Sequence, residues 1–200
     1  ESDAARAKEL RALAARAGES FRRKFWDEAG KKLWDGLQRG GDGVERPLTE
    51  VRPNMLFAVS LERTALTAEQ QRAVVECARK ELLTPMGLRT LSPSDPKYRA
   101  KFAGDMMTRD AAYHNGTVWP WLIGPYAEAA LRAGNFGETA KAHVREVIRP
   151  LVKMFDGDSV GQLFEVYDAE GDERGVRRPG GCMAQAWSVA ELLRVAVMVV

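Results

Sequence analysis

Apolar residues recurring at the helical period fill nearly every long segment, and this constrains the fold more than any other feature. The cleanest case is residues 137–155, where Ala140, Val144, Val147, Ile148, Leu151 and Phe155 share one helix face. Pro150 is expected to kink that helix. Residues 4–29 set Leu10, Leu13, Ala14, Ala17, Phe21 and Phe25 on one stripe, with arginines and lysines elsewhere. Thr67-Ala-Glu-Gln70 is a capping box, in which hydroxyl and amide side chains satisfy free backbone donors. Val74, Val75, Ala78 and Leu82 carry its helix to Pro85. A short helix over 53–61 has Pro53 in its first turn. Trp119-Pro-Trp121 opens a helix over 118–133 that Gly134 stops, and a last helix covers 183–199. About six helices without an internal repeat predict an all-α chain of helical hairpins.

The connections are long. Residues 36–47 read as a surface loop or hairpin-like connection. Residues 84–116 carry Pro85, Gly87, Pro93, Pro96 and Gly104, with a short strand expected over 87–92. A connection of that length inside a compact domain is usually functional. A third irregular stretch runs over 156–181.

Composition narrows the function classes. The 200 residues, 45% hydrophobic and 29% charged, suit one globular domain or a large piece of one. Thirty basic against 28 acidic residues leave +2, so no global field marks a nucleic-acid partner. Two histidines, His114 and His143, exclude a multi-histidine metal site, and no cofactor motif appears. Cys77 and Cys182 form neither a disulfide framework nor a zinc spacing. With no apolar signal-peptide core in ESDAARAKEL, a reduced, cytoplasmic setting is expected. Gln185, Ser188, Glu191 and Arg194 interrupt the apolar residues 183–200, which argues for a buried helix and no membrane span. The start at Glu1 and the apolar ending VAVMVV read as a piece of a longer chain.

Four constellations carry candidate chemistry. In the run Arg109 to Trp121, Arg109 and Asp110 form an ion pair beside Tyr113, His114, Asn115, Trp119 and Trp121. Indole faces stack on the C–H faces of sugars, and polar neighbours bond the hydroxyls. The plainer alternative makes both tryptophans core anchors. In Gly161-Gln-Leu-Phe-Glu165-Val-Tyr167-Asp168, Glu165 sits between apolar residues. It is either desolvated, which would raise its pKa and suit a general base, or turned out to water. Asp156, Asp158, Asp168, Glu170, Asp172 and Glu173 read as solvated loop charges, since the calcium-loop spacing is missing. In Gly180-Gly-Cys182-Met-Ala-Gln185-Ala-Trp187-Ser188, two glycines permit close backbone approach, and Gln185 and Trp187 face a pocket or simply join loop to helix. Arg52-Pro53-Asn54 either holds a hydroxylated ligand or caps a helix. His143 shares a face with Thr139 and Glu146 and is expected exposed, whereas Cys77 is expected in the core.

The blocks Arg52-Pro-Asn54, Leu82-Leu-Thr-Pro85 with Gly87-Leu-Arg-Thr-Leu91, His114-Asn-Gly-Thr-Val-Trp-Pro-Trp121, and Gly181-Cys182 with Gln185-Ala-Trp-Ser188 and Glu191-Leu-Leu193 occur in that order. Together they resemble the amylo-alpha-1,6-glucosidase domain of glycogen debranching enzymes. The resemblance implies an (α/α)6 barrel with its active site on the long loops at one end. About six helices then correspond to half a barrel, so residues 1–200 are expected to be the C-terminal portion of one catalytic domain. It also implies an inverting mechanism, with two carboxyls roughly 6.5–9.5 Å apart, no metal or cofactor, and Glu165 as the base that activates water. Arg52, Asn54, Arg109, Asp110, Tyr113, His114, Trp119, Trp121, Gln185 and Trp187 are the implied glucose-binding set. The family's acid belongs to a Trp-Met-Asp-like motif. Lys24-Phe-Trp26-Asp27 is not that motif, because it lies in the first amphipathic helix, so the acid is expected upstream of residue 1.

Three functions follow as expectations. The first is an α-1,6-glucosidase acting on glycogen, limit dextrin or maltodextrin. The second is a hydrolase of trehalose or of another glucoside or mannoside on the same barrel. The third is a module that binds α-glucan without cleaving it, or self-associates through an incomplete barrel.

Overall fold

The computed structural model describes residues 3–157 and 161–200. Asp158, one of the expected loop charges, lies outside them, as does the side chain of Asp156. The chain opens with α1 (Asp3–Phe25) and two hairpins, β1 (Trp26–Asp27) with β2 (Lys32–Leu33) and β3 (Gly36–Arg39) with β4 (Glu45–Leu48). A 3₁₀ turn (Pro53–Leu56) runs into α2 (Phe57–Ser60), and α3 (Ala68–Glu81) follows. Then come β5 (Leu83–Thr84), β6 (Gly87–Arg89), α4 (Met106–Tyr113) and β7 (Val118–Trp119). A second 3₁₀ turn (Pro120–Leu122) leads to α5 (Ile123–Ala133) and α6 (Glu138–Asp156). The chain closes with β8 (Val166–Tyr167), β9 (Pro179–Gly180) and α7 (Ala186–Met198).

Helix α5 is the centre. Ile123, Tyr126, Ala127, Ala129, Ala130 and Leu131 are all buried, as an element that is apolar all round requires. It packs against α2, α3, α6 and α7. The expected apolar stripe of α6 delivers Val144, Ile148 and Leu151 to this core, and the helix continues through Pro150. Both bonds of the capping box form at the start of α3. Cys77 is half-buried against the core, and burial pushes its thiol up.

Several expectations need correction. The first helix ends at Phe25, and Trp26 and Asp27, expected inside it, form β1. Only its C-terminal Phe21 and Phe25 pack on the core, while Leu10 and Leu13 remain about half exposed. Residues 118–122 are strand and 3₁₀ turn, because Pro120 fixes an extended entry to α5. The last helix starts at Ala186. The 84–116 connection contains α4, capped by Asp105 through Thr108 N–H at 2.8 Å. His143 is half-buried, with Nε2 2.9 Å from the Tyr126 hydroxyl. Helix α7 buries Leu192 and Val195, and Val199 just past its end is also buried, but Leu193 and Val197 point outward, so its apolar residues are not all core. Among the described residues no helix is long and apolar enough to cross a membrane.

One feature that positions the site has no counterpart in the helical pattern. Five short strands form an antiparallel sheet in the order β5-β6-β7-β8-β9. Leu88 lies opposite Trp119, Val118 opposite Tyr167, and Val166 opposite Gly180. The sheet therefore gathers the residues after β7, before β8 and after β9, segments that lie far apart in the chain.

Candidate functional site

Trp119 ends β7, and Pro120 at the start of the next turn sends Trp121 onward into the 3₁₀ turn. Four rings converge there. The His114 imidazole stacks on Trp119 at 5.6 Å and 9°, Trp119 meets Trp187 edge-on at 5.9 Å, and Trp187 stacks on Trp121 at 5.3 Å. With Asn54, Phe57 and Thr90 they line an open cleft of about 250 Å³. Trp187 is 46% exposed, and His114 is also exposed. Trp121 is half-buried, and Trp119 is only 5% exposed and belongs to the core, as the plainer alternative has it. The exposed Trp187 ring, with Trp121, an amide and a hydroxyl beside it, makes a surface suited to a sugar ring, with apolar faces and a few directional polar groups.

The floor of this cleft is braced by Arg52. Its guanidinium donates to the carbonyls of His114 and Thr90 and, at 3.0 Å, to Asn115 Oδ1. Asp35 lies 3.8 Å from Arg52 Nε and accepts the Asn54 amide at 2.9 Å. Asp35 escaped the sequence reading; its position beside Trp34, just before a glycine, gave no spacing signal. Arg52 thus holds protein loops rather than presenting a free fork, and Asn54 reaches the cleft as one of its walls.

Glu165 precedes β8, and Cys182 follows β9 by two residues, so the antiparallel pairing sets them side by side. The Glu165 N–H donates to the Cys182 carbonyl at 2.8 Å, and the Cys182 N–H returns a bond to Glu165 Oε2 at 2.9 Å. Tyr113, at the end of α4, donates its hydroxyl to Glu165 Oε1. Gly181 makes this approach possible: it sits at φ +67, and a Cβ there would lie 2.3 Å from Oε2. Glu165 is half-buried, between the two environments its flanking residues left open.

Tyr113 joins the carboxylate to the aromatic cluster. Its ring lies 4.7 Å from Trp119, 4.8 Å from His114 and 5.5 Å from Phe102. Its carbonyl accepts the Trp119 indole N–H at 3.0 Å. Burial, and then the bond to Glu165, push the phenol well above its ordinary pKa, so it remains a donor.

Two of the expected solvated acids are structural. Asp168 is 4% exposed; it accepts the Phe102 N–H at 2.8 Å and faces Lys101 at 3.3 Å. Glu170 accepts from Tyr98 at 2.7 Å and from Arg89 at 2.9 Å. Burial alone would raise the Glu170 carboxyl, but these bonds outweigh it and hold the group below its ordinary value. Burial and the same contact push the Tyr98 phenol up to about 12.

The sequence-derived set is therefore only partly assembled. His114, Trp119, Trp121, Trp187 and Asn54 share the cleft, Tyr113 and Glu165 adjoin it through Trp119, and Arg52 lies beneath. Arg109 and Asp110 are exposed on α4, with no ion pair between them among the described residues. Gln185 is the residue before α7, its N–H donating to the Leu163 carbonyl at 2.9 Å. Among the described residues no three His, Cys, Asp or Glu side chains converge as a metal site.

Comparison with known proteins places this chain in a family. Residues 3–194 match the amylo-alpha-1,6-glucosidase family. An 86-residue stretch, 40% of this chain, is 31% identical to the glycogen debranching enzyme of Saccharomyces cerevisiae (strain ATCC 204508 / S288c) and spans 6% of that protein. The fold is similar to that of neutral trehalase Nth1 from Saccharomyces cerevisiae, with a TM-score of 0.62 and 16% identity, over 94% of this chain and 30% of the trehalase. At that identity the likeness shows the fold alone: an all-α architecture of the (α/α)6-barrel glycosidase type, as expected from the sequence.

Proposed function

Because this chain belongs to the amylo-alpha-1,6-glucosidase family of glycoside hydrolases, we propose that it takes part in hydrolysis of α-1,6-linked glucose at branch points of glycogen or limit dextrin. Glu165 is the general base of this reading. The observation that carries it is the two-point hold on its carboxylate, from Tyr113 on one oxygen and Cys182 N–H on the other, beside a cleft walled by three indoles.

In the inverting reaction a water oxygen bonds to the anomeric carbon while its proton passes to Glu165. The bond from that carbon to the leaving sugar breaks, and the leaving oxygen takes a proton from a second carboxyl roughly 6.5–9.5 Å away. A carboxylate has about four acceptor positions. Two are used here, so others remain for the water. Trp187 and Trp121 supply stacking faces, the largely buried Trp119 backs them, and His114 and Asn54 supply polar contacts to glucose. The natural partner is then an α-glucan, and the two free thiols, Cys77 and Cys182, fit a reducing cytoplasmic setting.

The test is glucose release from limit dextrin, isomaltose and trehalose by the complete natural protein carrying this sequence, with Glu165 intact and as Glu165→Gln. The amide keeps the shape and removes the base. A loss of about 10²-fold or more with dextrin binding retained is expected. Undiminished release by Glu165→Gln refutes the base, and release from trehalose alone refutes the α-1,6 reading.

A further inference from the structure

We infer that Tyr113 is a positioning residue of the hydrolytic step, its phenol fixing the Glu165 carboxylate in the one orientation that points a free lone pair at water. The inference rests on Glu165 being the base. The family reading counts Tyr113 among the sugar-binding residues, and the geometry points elsewhere. Tyr113 is not one of the cleft's walls; it packs against two of them, His114 and Trp119. Its hydroxyl is committed to Glu165 Oε1.

The hold is stiff because every part of it is itself held. A glutamate carboxylate on a free side chain samples several rotamers. Here Oε1 is tied to α4 and Oε2 to the backbone after β9, two segments that approach only through the fold. The Tyr113 ring is enclosed by Trp119, His114 and Phe102. Phe102 is fixed in turn by its N–H bond to the buried Asp168 carboxylate at 2.8 Å, and it lies against Gly180, where a Cβ would meet its ring at 2.8 Å. The sequence of supports Asp168, Phe102, Tyr113, Glu165 gives a charge in the acid-rich loop a purpose that composition alone did not reveal. The phenol transfers no proton: burial and the neighbouring carboxylate keep it protonated, so its part is donation. Placement of a reacting group to within an ångström can be worth about 10²-fold in rate.

The experiment is a double-variant cycle in the complete natural protein, read as kcat and KM for glucose release from limit dextrin. Tyr113→Phe keeps the ring and its packing and deletes the hydroxyl. The expected result is a fall in kcat of at least tenfold with KM within twofold. In the Glu165→Gln background the same change is expected to cost less than a further twofold, because the group it acts through is already gone. Phe102→Leu loosens the ring's enclosure and leaves the phenol; it is expected to lower kcat about threefold at unchanged KM, and it carries the test if Tyr113→Phe does not fold. A rise in KM with kcat intact, or full multiplication of the two penalties in the double variant, overturns the inference. Failure of the base reading looks different: Glu165→Gln alone then retains its rate.

Discussion

Gly181→Ala tests the site through the backbone rather than through a reacting group. Gly181 sits at φ +67, and a Cβ there would lie 2.3 Å from Glu165 Oε2, 3.0 Å from its Cβ and 3.1 Å from its Cδ. The left-handed conformation costs a non-glycine residue about 1–2 kcal/mol. The contact is a separate effect: ordinary van der Waals separation begins near 3.4 Å, so the carboxylate must retreat by about an ångström. Such a displacement costs about 10²-fold in rate, or about 2.7 kcal/mol of barrier. Gly175 separates the two effects. It lies in the same β8–β9 connection at φ +77 with nothing within 4 Å of a built Cβ. Gly175→Ala carries the backbone penalty without the clash, so both variants lose about 1–2 kcal/mol of stability in denaturant melts, but only Gly181→Ala loses rate. The assay is kcat for glucose release beside dextrin affinity. Full kcat in a folded Gly181→Ala refutes the claim that the observed Glu165 placement matters for the chemistry. Equal rate losses in both variants trace the effect to backbone strain instead.

Two further outcomes follow from the scaffold. A Cβ at Gly124 would meet Glu191 Oε2 at 1.5 Å, so Gly124→Ala is expected to push the Glu191 side chain out of its pairing with Arg194 and to destabilise the fold by about 1 kcal/mol; a denaturant midpoint equal to wild type shows that the displaced pair contributes nothing to stability. Burial holds the His143 imidazole below its ordinary 6.5, with Arg79 acting in the same sense and Glu76 against it. The unfolded chain then binds the proton more readily than the folded one, so stability falls as pH drops below 6.5 and levels off below the folded value. His143→Gln is expected to flatten that part of the stability–pH curve, and an unchanged slope assigns it to other groups.

The helices were legible because burying one face of a helix imposes a period. Val144, Ile148 and Leu151 of α6 and the Thr67 cap of α3 needed no tertiary information. Helix α4 escaped because it buries only Ala112, which leaves no period to read, although Asp105 was a usable N-cap signal. Of the strands, β6 falls in the strand expected over 87–92, and β3 with β4 form the hairpin-like connection expected over 36–47. The two-residue strands escaped because they are too short to show alternation, and their pairing is imposed by the elements around them. Asp168 was misread because composition treats a carboxylate in an acid-rich loop as solvated, while its partner Phe102 lies 66 positions away. The aromatic density of residues 113–121 was visible in one dimension. The bond from Tyr113 to Glu165 spans 52 positions and was not.

The division of labour within the fold follows from the same physics. Helices α2, α3, α5, α6 and α7 bury their faces against one another and fix a rigid frame, but a helix satisfies its own backbone and has no unpaired amides to offer in its middle. The site needs backbone donors and acceptors at defined places, and the ends of the small sheet and of α4 supply them: Cys182 N–H for Glu165, and the carbonyls of Thr90 and His114 for Arg52. Each of these groups lies just past the end of a strand or helix, where the ladder stops and the next polar atom is still without a partner. The carboxylate and guanidinium that complete those positions therefore fill structural places, and the proposed base Glu165 is one of them. For this reason the loops between the helices carry the densest polar residues of the sequence, and a reading by helical period alone finds the frame and leaves the site unplaced.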